Sequence, residues 1–193
     1  MKRIITLITL IFLLSQSLYS LKFEVSVKGL LGVSSMTREN TSNYKADLSY
    51  GIGSGISMLV HNIFTIEIDA LLMSRGAKTD QGKPISFSQF SFPILLKSDP
   101  FGIGISLIGG IQFNYITRGL LYNPPSSPTK ISDQLNKFTY DLILGIGYRV
   151  DFLSFELRYE LGLTDIIKDN STFGANIEKN KSVYFIVGVN FDL

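Results

Sequence analysis

The chain has 193 residues, with 18 lysines and arginines, 16 aspartates and glutamates, and no cysteine. Its length suits one domain, and its nearly balanced charge lacks the basic excess with which proteins contact nucleic-acid phosphates, so a nucleic-acid partner is excluded. Without cysteine, the chain has no disulfides, no thiol chemistry and no acylated lipoprotein cysteine.

The beginning of the chain has the pattern of a secretion signal. Two basic residues follow Met1, residues 4–14 form an apolar run, and residues 15–20 include the small and polar residues of a cleavage region. The run is too short for a membrane-spanning helix, which needs about 20 apolar residues. The sequence therefore predicts a signal peptide over residues 1–20 and a mature domain over residues 21–193.

The predicted mature domain contains eight segments in which apolar residues alternate with small or polar ones. This period of two is typical of a strand with one face on lipid and the other on the interior of a barrel. About 9 to 11 residues are enough for such a strand to cross a membrane at a tilt. The segments are about 22–33, 45–59, 63–75, 85–96, 102–117, 137–150, 153–163 and 183–193.

The fourth of these segments is the least regular. Phe90 and Phe92 share a face, whereas Ile85 and Phe87 fall out of phase with them. Pro93 has no N–H to donate to a neighbouring strand. We therefore expect a β-bulge near Pro93.

The connections between the segments alternate in length. Three are short turns, at 60–62, 99–100 and 151–152. Four are longer, at about 34–44, 76–84, 118–136 and 165–181. Short turns at one end and long loops at the other are typical of the periplasmic and extracellular ends of an outer-membrane barrel. An even number of strands then places both chain ends in the periplasm.

The two faces of the segments distinguish a membrane barrel from a soluble barrel such as a lipocalin. The non-apolar face carries a row of glycines, which suits the narrow interior of an eight-stranded barrel better than a water-facing wall. These are Gly51, Gly53, Gly55, Gly104, Gly110, Gly145, Gly147 and Gly188. Aromatic residues gather near both ends of the apolar face, as in interfacial girdles. The sequence therefore predicts an all-β fold, an eight-stranded antiparallel up-and-down transmembrane β-barrel in the cell outer membrane.

This fold implies two partners. Outer-membrane lipid would cover the apolar face. The barrel-insertion machinery would recognise the C-terminal strand, in which every second residue from Val183 to Leu193 is apolar.

The fourth segment also carries a family resemblance. Residues 90–97, Phe-Ser-Phe-Pro-Ile-Leu-Leu-Lys, resemble the fourth-strand signature of PorT-like outer-membrane β-barrel proteins, which belong with OmpX- and OmpA-like eight-stranded barrels. Residues 144–148 and 155–159 resemble the sixth and seventh strands of that family. Such barrels usually end on an aromatic residue, whereas this chain ends on Leu193. One family member is tied to a protein-secretion apparatus, a role that fold alone does not transfer.

Charged residues on the predicted interior face have two interpretations. They could form an ion or proton path or a hydrolytic carboxylate pair, or they could pair with one another because an isolated buried charge is too costly. Arg149 lies within diagonal reach of Glu156 across a tight turn, which favours pairing. The predicted ion-pair network comprises Glu67, Asp69, Arg149, Glu156, Arg158 and Glu160. The same face also carries Glu24, Lys28, Asp47, Lys97, Asp141 and Asp192.

The motifs indicate no catalytic, cofactor-binding or metal-binding residues. His61 is the only histidine and falls in a predicted turn, so it supplies no base for a lipid hydrolase. Residues 51–55 have the glycine spacing of a dinucleotide loop but lack its strand, turn and helix context. We therefore expect no cofactor, no metal and no enzymatic activity.

The longest predicted loop, 118–136, is the candidate contact surface. Leu120, Leu121 and Tyr122 precede a segment stiffened by prolines, and exposed apolar residues on a stiff backbone suit binding of an extracellular protein or lipid. The residues of this surface are Leu120, Leu121, Tyr122, Pro124 and Pro125. The alternative is that the first three merely extend the neighbouring strands. The functional hypothesis is a structural or surface-interaction protein, with a narrow passive channel or a secretion or envelope assembly component as alternatives.

Overall fold

The structure is a computed structural model that describes residues 22–38, 45–78, 84–122, 128–167 and 178–193. The predicted signal peptide lies outside the described residues. Nine strands and one short 3₁₀ turn, Ser132–Gln134, make up the regular structure of the described ranges. The strands are β1 Lys22–Arg38, β2 Lys45–His61, β3 Phe64–Lys78, β4 Pro84–Ser98, β5 Ile105–Leu121, β6 Thr129–Lys130, β7 Phe138–Val150, β8 Leu153–Gly162 and β9 Glu178–Asp192. No helix within these ranges is long and apolar enough to span a membrane.

Eight of the strands close into a barrel. Each of them pairs antiparallel with two neighbours, in the circular order β1, β2, β3, β4, β5, β7, β8, β9. The first and last strands close the ring, with Glu24 opposite Asp192 and Arg38 opposite Glu178. The two-residue strand β6 pairs only with the end of β5. The predicted eight-stranded antiparallel fold is confirmed.

The predicted inside and outside faces are also confirmed. On β2, Ile52 is 66% exposed on the outer face whereas Ser49 is fully buried inside. Glycines on the inner face allow side chains from neighbouring strands to fit within the narrow lumen. At Gly110, for example, an added Cβ would collide with the carbonyl oxygen of Ile94 on the next strand. The apolar outer surface is therefore the one that meets lipid.

In the β4–β5 pairing the register shifts between Ser88 and Gln89, so the fourth predicted segment does face a bulge, but the bulge does not lie at Pro93. The β3–β4 register is the same on both sides of this residue, with Ile68 opposite Ile94 and Leu71 opposite Ser91. Ile85 and Phe87 are out of phase because they point into the barrel, where they are almost fully buried. Proline removes one ladder donor without shifting the register.

One predicted turn is longer than expected. The connection between β4 and β5 runs from Asp99 to Gly104, so β5 begins at Ile105 rather than at residue 102. Gly102 and Gly104 have positive φ angles of 64° and 82°, and the Asp99 carboxylate accepts the backbone N–H of Gly104 at 2.9 Å. Residues 99–104 therefore form a turn, capped by the Asp99 side chain, that belongs to neither β4 nor β5. We call it the capped turn. The other two turns, Asn62–Ile63 and Asp151–Phe152, are tight.

We call the end with these three turns the turn end and the opposite end the loop end. At the loop end the strands run further than the sequence predicts, with β1 reaching Arg38 and β9 beginning at Glu178. In the sequence, the alternation of apolar with polar residues stops before these strands do. The reason is that the outward residues of the extensions, such as Ser35 and Lys181, are polar. Hydrogen bonding between backbones continues where the apolar pattern stops.

The core lies inside the barrel, in apolar groups separated by polar ones. At the loop end is a cluster that we call the cap. It comprises Met36, Ala77, Ile85, Phe87, Ile116, Ile131, Leu135, Ile166 and Ile167. Two smaller groups lie deeper, one around Leu71 and Tyr184 and one formed by Leu95, Ile108 and Ile143. The lumen of the described barrel is therefore filled by side chains.

Candidate functional site

Six charged side chains form a compact group inside the barrel on its turn side, which we call the turn-side cluster. They are Lys28, Glu67, Asp69, Lys97, Glu156 and Arg158. Lys28 Nζ lies 2.5 Å from Glu67 and 2.6 Å from Asp69. Lys97 Nζ lies 2.7 Å from Glu67 and 2.6 Å from Glu156. Strands β1, β3, β4 and β8 are thus joined across the lumen.

Arg158 is the centre of the turn-side cluster. Its guanidinium is fully buried and donates to Glu156 at 2.6 Å, to Asp69 at 3.0 Å and to Glu67 at 3.2 Å. Three cations face three carboxylates, so the cluster is electrically balanced. A buried ion pair is tolerated only when its hydrogen bonds compensate for lost hydration, and the loss of one partner is then strongly destabilising.

A second group, the loop-side cluster, lies between the turn-side cluster and the cap. Arg75 donates to Asp141 at 3.0 Å and forms a close ion pair with Glu160, and all three are almost fully buried. The side-chain amides of Gln112 and Asn114 also donate to Asp141, at 3.2 and 2.9 Å. One cation therefore pairs with two carboxylates, and neutral amide donors supply further hydrogen bonds. Within the described ranges, Arg75 Nε and Glu160 Oε1 are buried without a hydrogen-bond partner.

The cap closes the lumen at the loop end of the described chain. Two segments outside the barrel strands fold over it, and the backbone N–H of Asn136 donates to Ile166 at 2.8 Å between them. The N–H of Ile131 donates to Gly119 of β5 at 3.0 Å. An added Cβ at Gly119 would meet the Leu135 side chain, which would then have to shift. The barrel mouth is thus covered by packed apolar side chains.

The turn end is more open. A cavity of about 200 Å³ lies there, lined among others by Glu24, Glu67, Lys97, Arg149 and Glu156. We call it the turn-end cavity. Its walls include the outer members of the turn-side cluster but not the fully buried Arg158. Water can therefore reach the edge of the cluster from this side, while the lumen beyond it is packed.

The structure brings four of the six residues of the predicted network together, namely Glu67, Asp69, Glu156 and Arg158. Glu160 belongs to the loop-side cluster instead. Arg149 donates to Glu24 at 2.6 Å rather than to Glu156. The reason is geometric: Glu156 lies opposite Gly147, deeper in the lumen, where Lys97 and Arg158 already occupy its carboxylate.

The predicted network lacks three cations that the structure places in these clusters. Lys28, Lys97 and Arg75 fall on the interior face that the alternation predicts, but outside the predicted network. The period of two is sufficient to identify Arg75, because it has the same parity as Glu67 and Asp69 on β3. The identity of each partner does not follow from this period, since the pairs cross the lumen between strands distant in sequence.

The residues of the predicted contact loop lie in different environments. Leu120 and Leu121 lie at the end of β5, opposite Lys130 and Thr129, and Leu121 packs against the cap. Tyr122 follows β5 and is 37% exposed. Pro124 and Pro125 lie outside the described residues. A contact surface around Tyr122 would therefore adjoin a residue, Leu121, that packs against the cap.

His61 is the last residue of β2 and is exposed, with its ring 6.4 Å from that of Phe64. Across the described ranges, no group of three or more histidine, cysteine, aspartate or glutamate side chains is arranged to hold a metal ion.

A closed eight-stranded barrel with an apolar exterior and a charged, packed interior is the architecture of small outer-membrane proteins. The family model described as outer membrane protein beta-barrel domain matches residues 14–168 of the chain. The chain belongs to this family. It is thus an outer-membrane β-barrel protein, and β9, which completes the ring, lies beyond the matched residues.

Two solved structures illustrate the similarity. Ail, the attachment invasion locus protein of Yersinia pestis, is 12% identical, with a TM-score of 0.54, over 88% of this chain and 99% of Ail. Neisserial surface protein A is 8% identical, with a TM-score of 0.57, over 88% of this chain and 97% of that protein. At these identities the likeness concerns the fold alone. No curated protein matches the chain.

Proposed function

We propose that this outer-membrane barrel is a structural and surface-interaction protein that catalyses no reaction and that uses its loop end for contact. The observation that carries the proposal is the filled lumen. The interior charges are hydrogen-bonded to one another, and the cap covers the loop end. What the described chain offers to other molecules is therefore its outer wall and its two ends.

The proposal includes an orientation. The chain is exported by the signal peptide over residues 1–20, both ends of the barrel domain lie in the periplasm, and the loop end faces the exterior. The insertion machinery recognises the C-terminal strand β9. The strand pattern of residues 90–97 supports a finer relationship to PorT-like barrels, and with it the alternative role in a secretion or envelope assembly.

The contact surface is proposed to lie around Tyr122, where the chain leaves β5. The packing of Leu121 against the cap gives this surface a rigid base, which limits the entropy lost when a partner binds. Lys130 and Lys137 are exposed on the following segment. Ail has been solved in complex with the heparin analogue sucrose octasulfate. A sulfated glycan is accordingly the first probe to test, beside an extracellular protein or a lipid.

The test compares cells that display the wild-type barrel with cells that display a deletion of residues 122–128. Binding to immobilised heparin and to a host-cell monolayer is measured at matched expression, and heat-modifiable migration on gels reports an intact barrel. We expect the deletion to reduce binding to at least one of the two surfaces. Unchanged binding to both by an intact barrel would reject the contact surface.

The turn-end cavity favours a second candidate function, a narrow passive channel. Single-channel recording in planar bilayers separates the two functions. The packed lumen and the cap predict no conductance steps above those of the bilayer alone. Reproducible steps that disappear when the protein is heat-unfolded would support the channel and contradict the closed interior.

A further inference from the structure

A β-bulge on β5 turns two successive side chains to the outer wall near the loop end. Arg118 is opposite Ser88 and Ile116 is opposite Gln89, so Thr117 is an extra residue between the two pairs. Bulges of this kind redirect side chains. Thr117 and Arg118 are both exposed, and the Thr117 hydroxyl donates to the Ser88 carbonyl oxygen at 3.0 Å.

Arg118 differs from the other arginine side chains that the structure describes. The side chains of Arg75, Arg149 and Arg158 each form an ion pair, whereas the Arg118 side chain has no ion pair or hydrogen bond within the described ranges. It follows the outward aromatic Tyr115 on the same strand, at the level where a barrel wall passes from lipid to water. A free guanidinium at this level suits an anionic lipid headgroup.

Arg118 is one end of a row of polar outer-face residues that lie opposite one another on four neighbouring strands. Tyr50 of β2 is opposite Ser74 of β3, Ser74 is opposite Ser88 of β4, and Ser88 is opposite Arg118 of β5. All four side chains belong to the outer face. We call them the polar row.

An apolar row runs beside the polar row, two residues closer to the middle of the barrel. Ile52 is opposite Leu72, Leu72 is opposite Phe90, and Phe90 is opposite Tyr115. Six side chains of the two rows, together with Thr117, line a groove of about 410 Å³ on the outer wall. Arg118 and Tyr115 do not line it but lie beside it on β5, opposite the lining residues Ser88 and Phe90. The groove is apolar towards the membrane centre and carries hydroxyls at its other end, where Arg118 is the neighbour of Ser88 on the next strand. Apolar surface at one end and polar, cationic groups at the other match the polarity of a phosphate-bearing lipid.

We propose that this groove binds one phosphate-bearing lipid, with its phosphate at Arg118 and Ser88 and an acyl chain along Ile52, Leu72 and Phe90. The Arg118 guanidinium and the Ser88 hydroxyl match the charge and the acceptor oxygens of the headgroup. The apolar row adds van der Waals contacts with the acyl chain. The lipid belongs to the leaflet at the loop end, and the assignment of that leaflet as the outer one rests on the proposed function.

Native mass spectrometry of the barrel released from detergent tests this site. The barrel is titrated with dimyristoyl phosphatidylglycerol, with uncharged dimyristoylglycerol and with inorganic phosphate. Arg118→Gln removes the charge, and Ser74→Leu fills the groove. Lys179→Gln is the matched control, since it removes an exposed cation at the loop end of β9, away from the groove.

We expect one phosphatidylglycerol to be retained by the wild type and by Lys179→Gln. Arg118→Gln should require about tenfold more lipid for the same retention, because a charge-assisted hydrogen bond is lost. Ser74→Leu should also reduce retention. Dimyristoylglycerol should bind more weakly than phosphatidylglycerol, and inorganic phosphate should not displace the lipid.

The inference is overturned if Arg118→Gln and Lys179→Gln retain lipid equally, or if the uncharged lipid binds as well as the charged one. Displacement by inorganic phosphate would show an ion site without an acyl groove. Dimers that Ser74→Leu dissociates would show that a second copy occupies the groove. None of these results depends on the glycan or cell-binding experiment, so the two proposals fail separately.

Discussion

Arg158 Nη1 lies 3.0 Å from Asp69 Oδ2, although 89 residues separate the two in the chain. This pair joins β8 to β3 across the middle of the barrel. Both side chains are almost fully shielded from solvent, so the pair exists only when the ring of strands is closed. The charged interior therefore couples the stability of distant strands.

The first prediction concerns the loss of this central cation. Arg158→Met should lower the free energy of unfolding by about 3 to 5 kcal/mol, because three buried carboxylates then face only two cations. Urea-induced unfolding in lipid vesicles measures the change. Arg149→Met is the control, since its pair with Glu24 is partly exposed and should contribute about 1 kcal/mol or less. Equal losses in the two variants would contradict the importance of burial.

The second prediction restores the charge balance. Combining Arg158→Met with Asp69→Asn leaves two cations and two carboxylates in the turn-side cluster. The double variant should be more stable than Arg158→Met alone, with a coupling free energy of roughly 0.5 to 3 kcal/mol between the two positions. A double-mutant cycle on the same unfolding assay gives this coupling. Strictly additive losses would mean that the two side chains act independently.

The third prediction uses two glycines on opposite faces of the wall. Gly110→Ala should destabilise the barrel by about 1 to 3 kcal/mol, since the new Cβ would collide with the Ile94 carbonyl oxygen. Gly29→Ala should be neutral or stabilise it by up to about 1 kcal/mol, because nothing lies within 4 Å of the added carbon. Unfolding free energies that fall equally for both would argue against the close strand contact at Gly110.

The fourth prediction concerns orientation. A short epitope inserted within residues 123–127 should bind antibody on intact cells, because this loop faces the exterior in the proposed topology. The same epitope between Pro100 and Gly102, in the capped turn, should bind only after the outer membrane is permeabilised. Antibody labelling followed by flow cytometry measures both. Labelling of the capped turn on intact cells would reverse the topology.

The barrel itself can be predicted because a period of two assigns a face to nearly every strand residue. That rule alone places Glu67, Asp69 and Arg158 on the inner face. It does not choose their partners, because pairs across the lumen depend on how the strands are staggered around the ring. Arg149 shows this limit, since the sequence predicts a partner along its own hairpin and the actual partner is a residue of β1.

The cap shows where the pattern itself is misleading. Ile85 and Phe87 break the alternation on β4, and the nearby proline suggests a local reason. Their burial comes instead from Ile131 and Ile167, which reach the mouth of the barrel from segments outside the barrel strands. When only one strand is considered, an apolar residue that points into the barrel is read as a break in the alternation of apolar and polar residues.

The central claim is that apolar side chains face lipid while their neighbours face a packed interior. The chain contains no tryptophan, so single-tryptophan variants give a clean signal. Phe185→Trp places the probe on the outer face of β9, and Tyr184→Trp places it one residue away inside the lumen. In vesicles of lipids with brominated acyl chains, we predict strong fluorescence quenching at position 185 and little at position 184. Equal quenching of the two folded variants, or stronger quenching at position 184, would contradict the account.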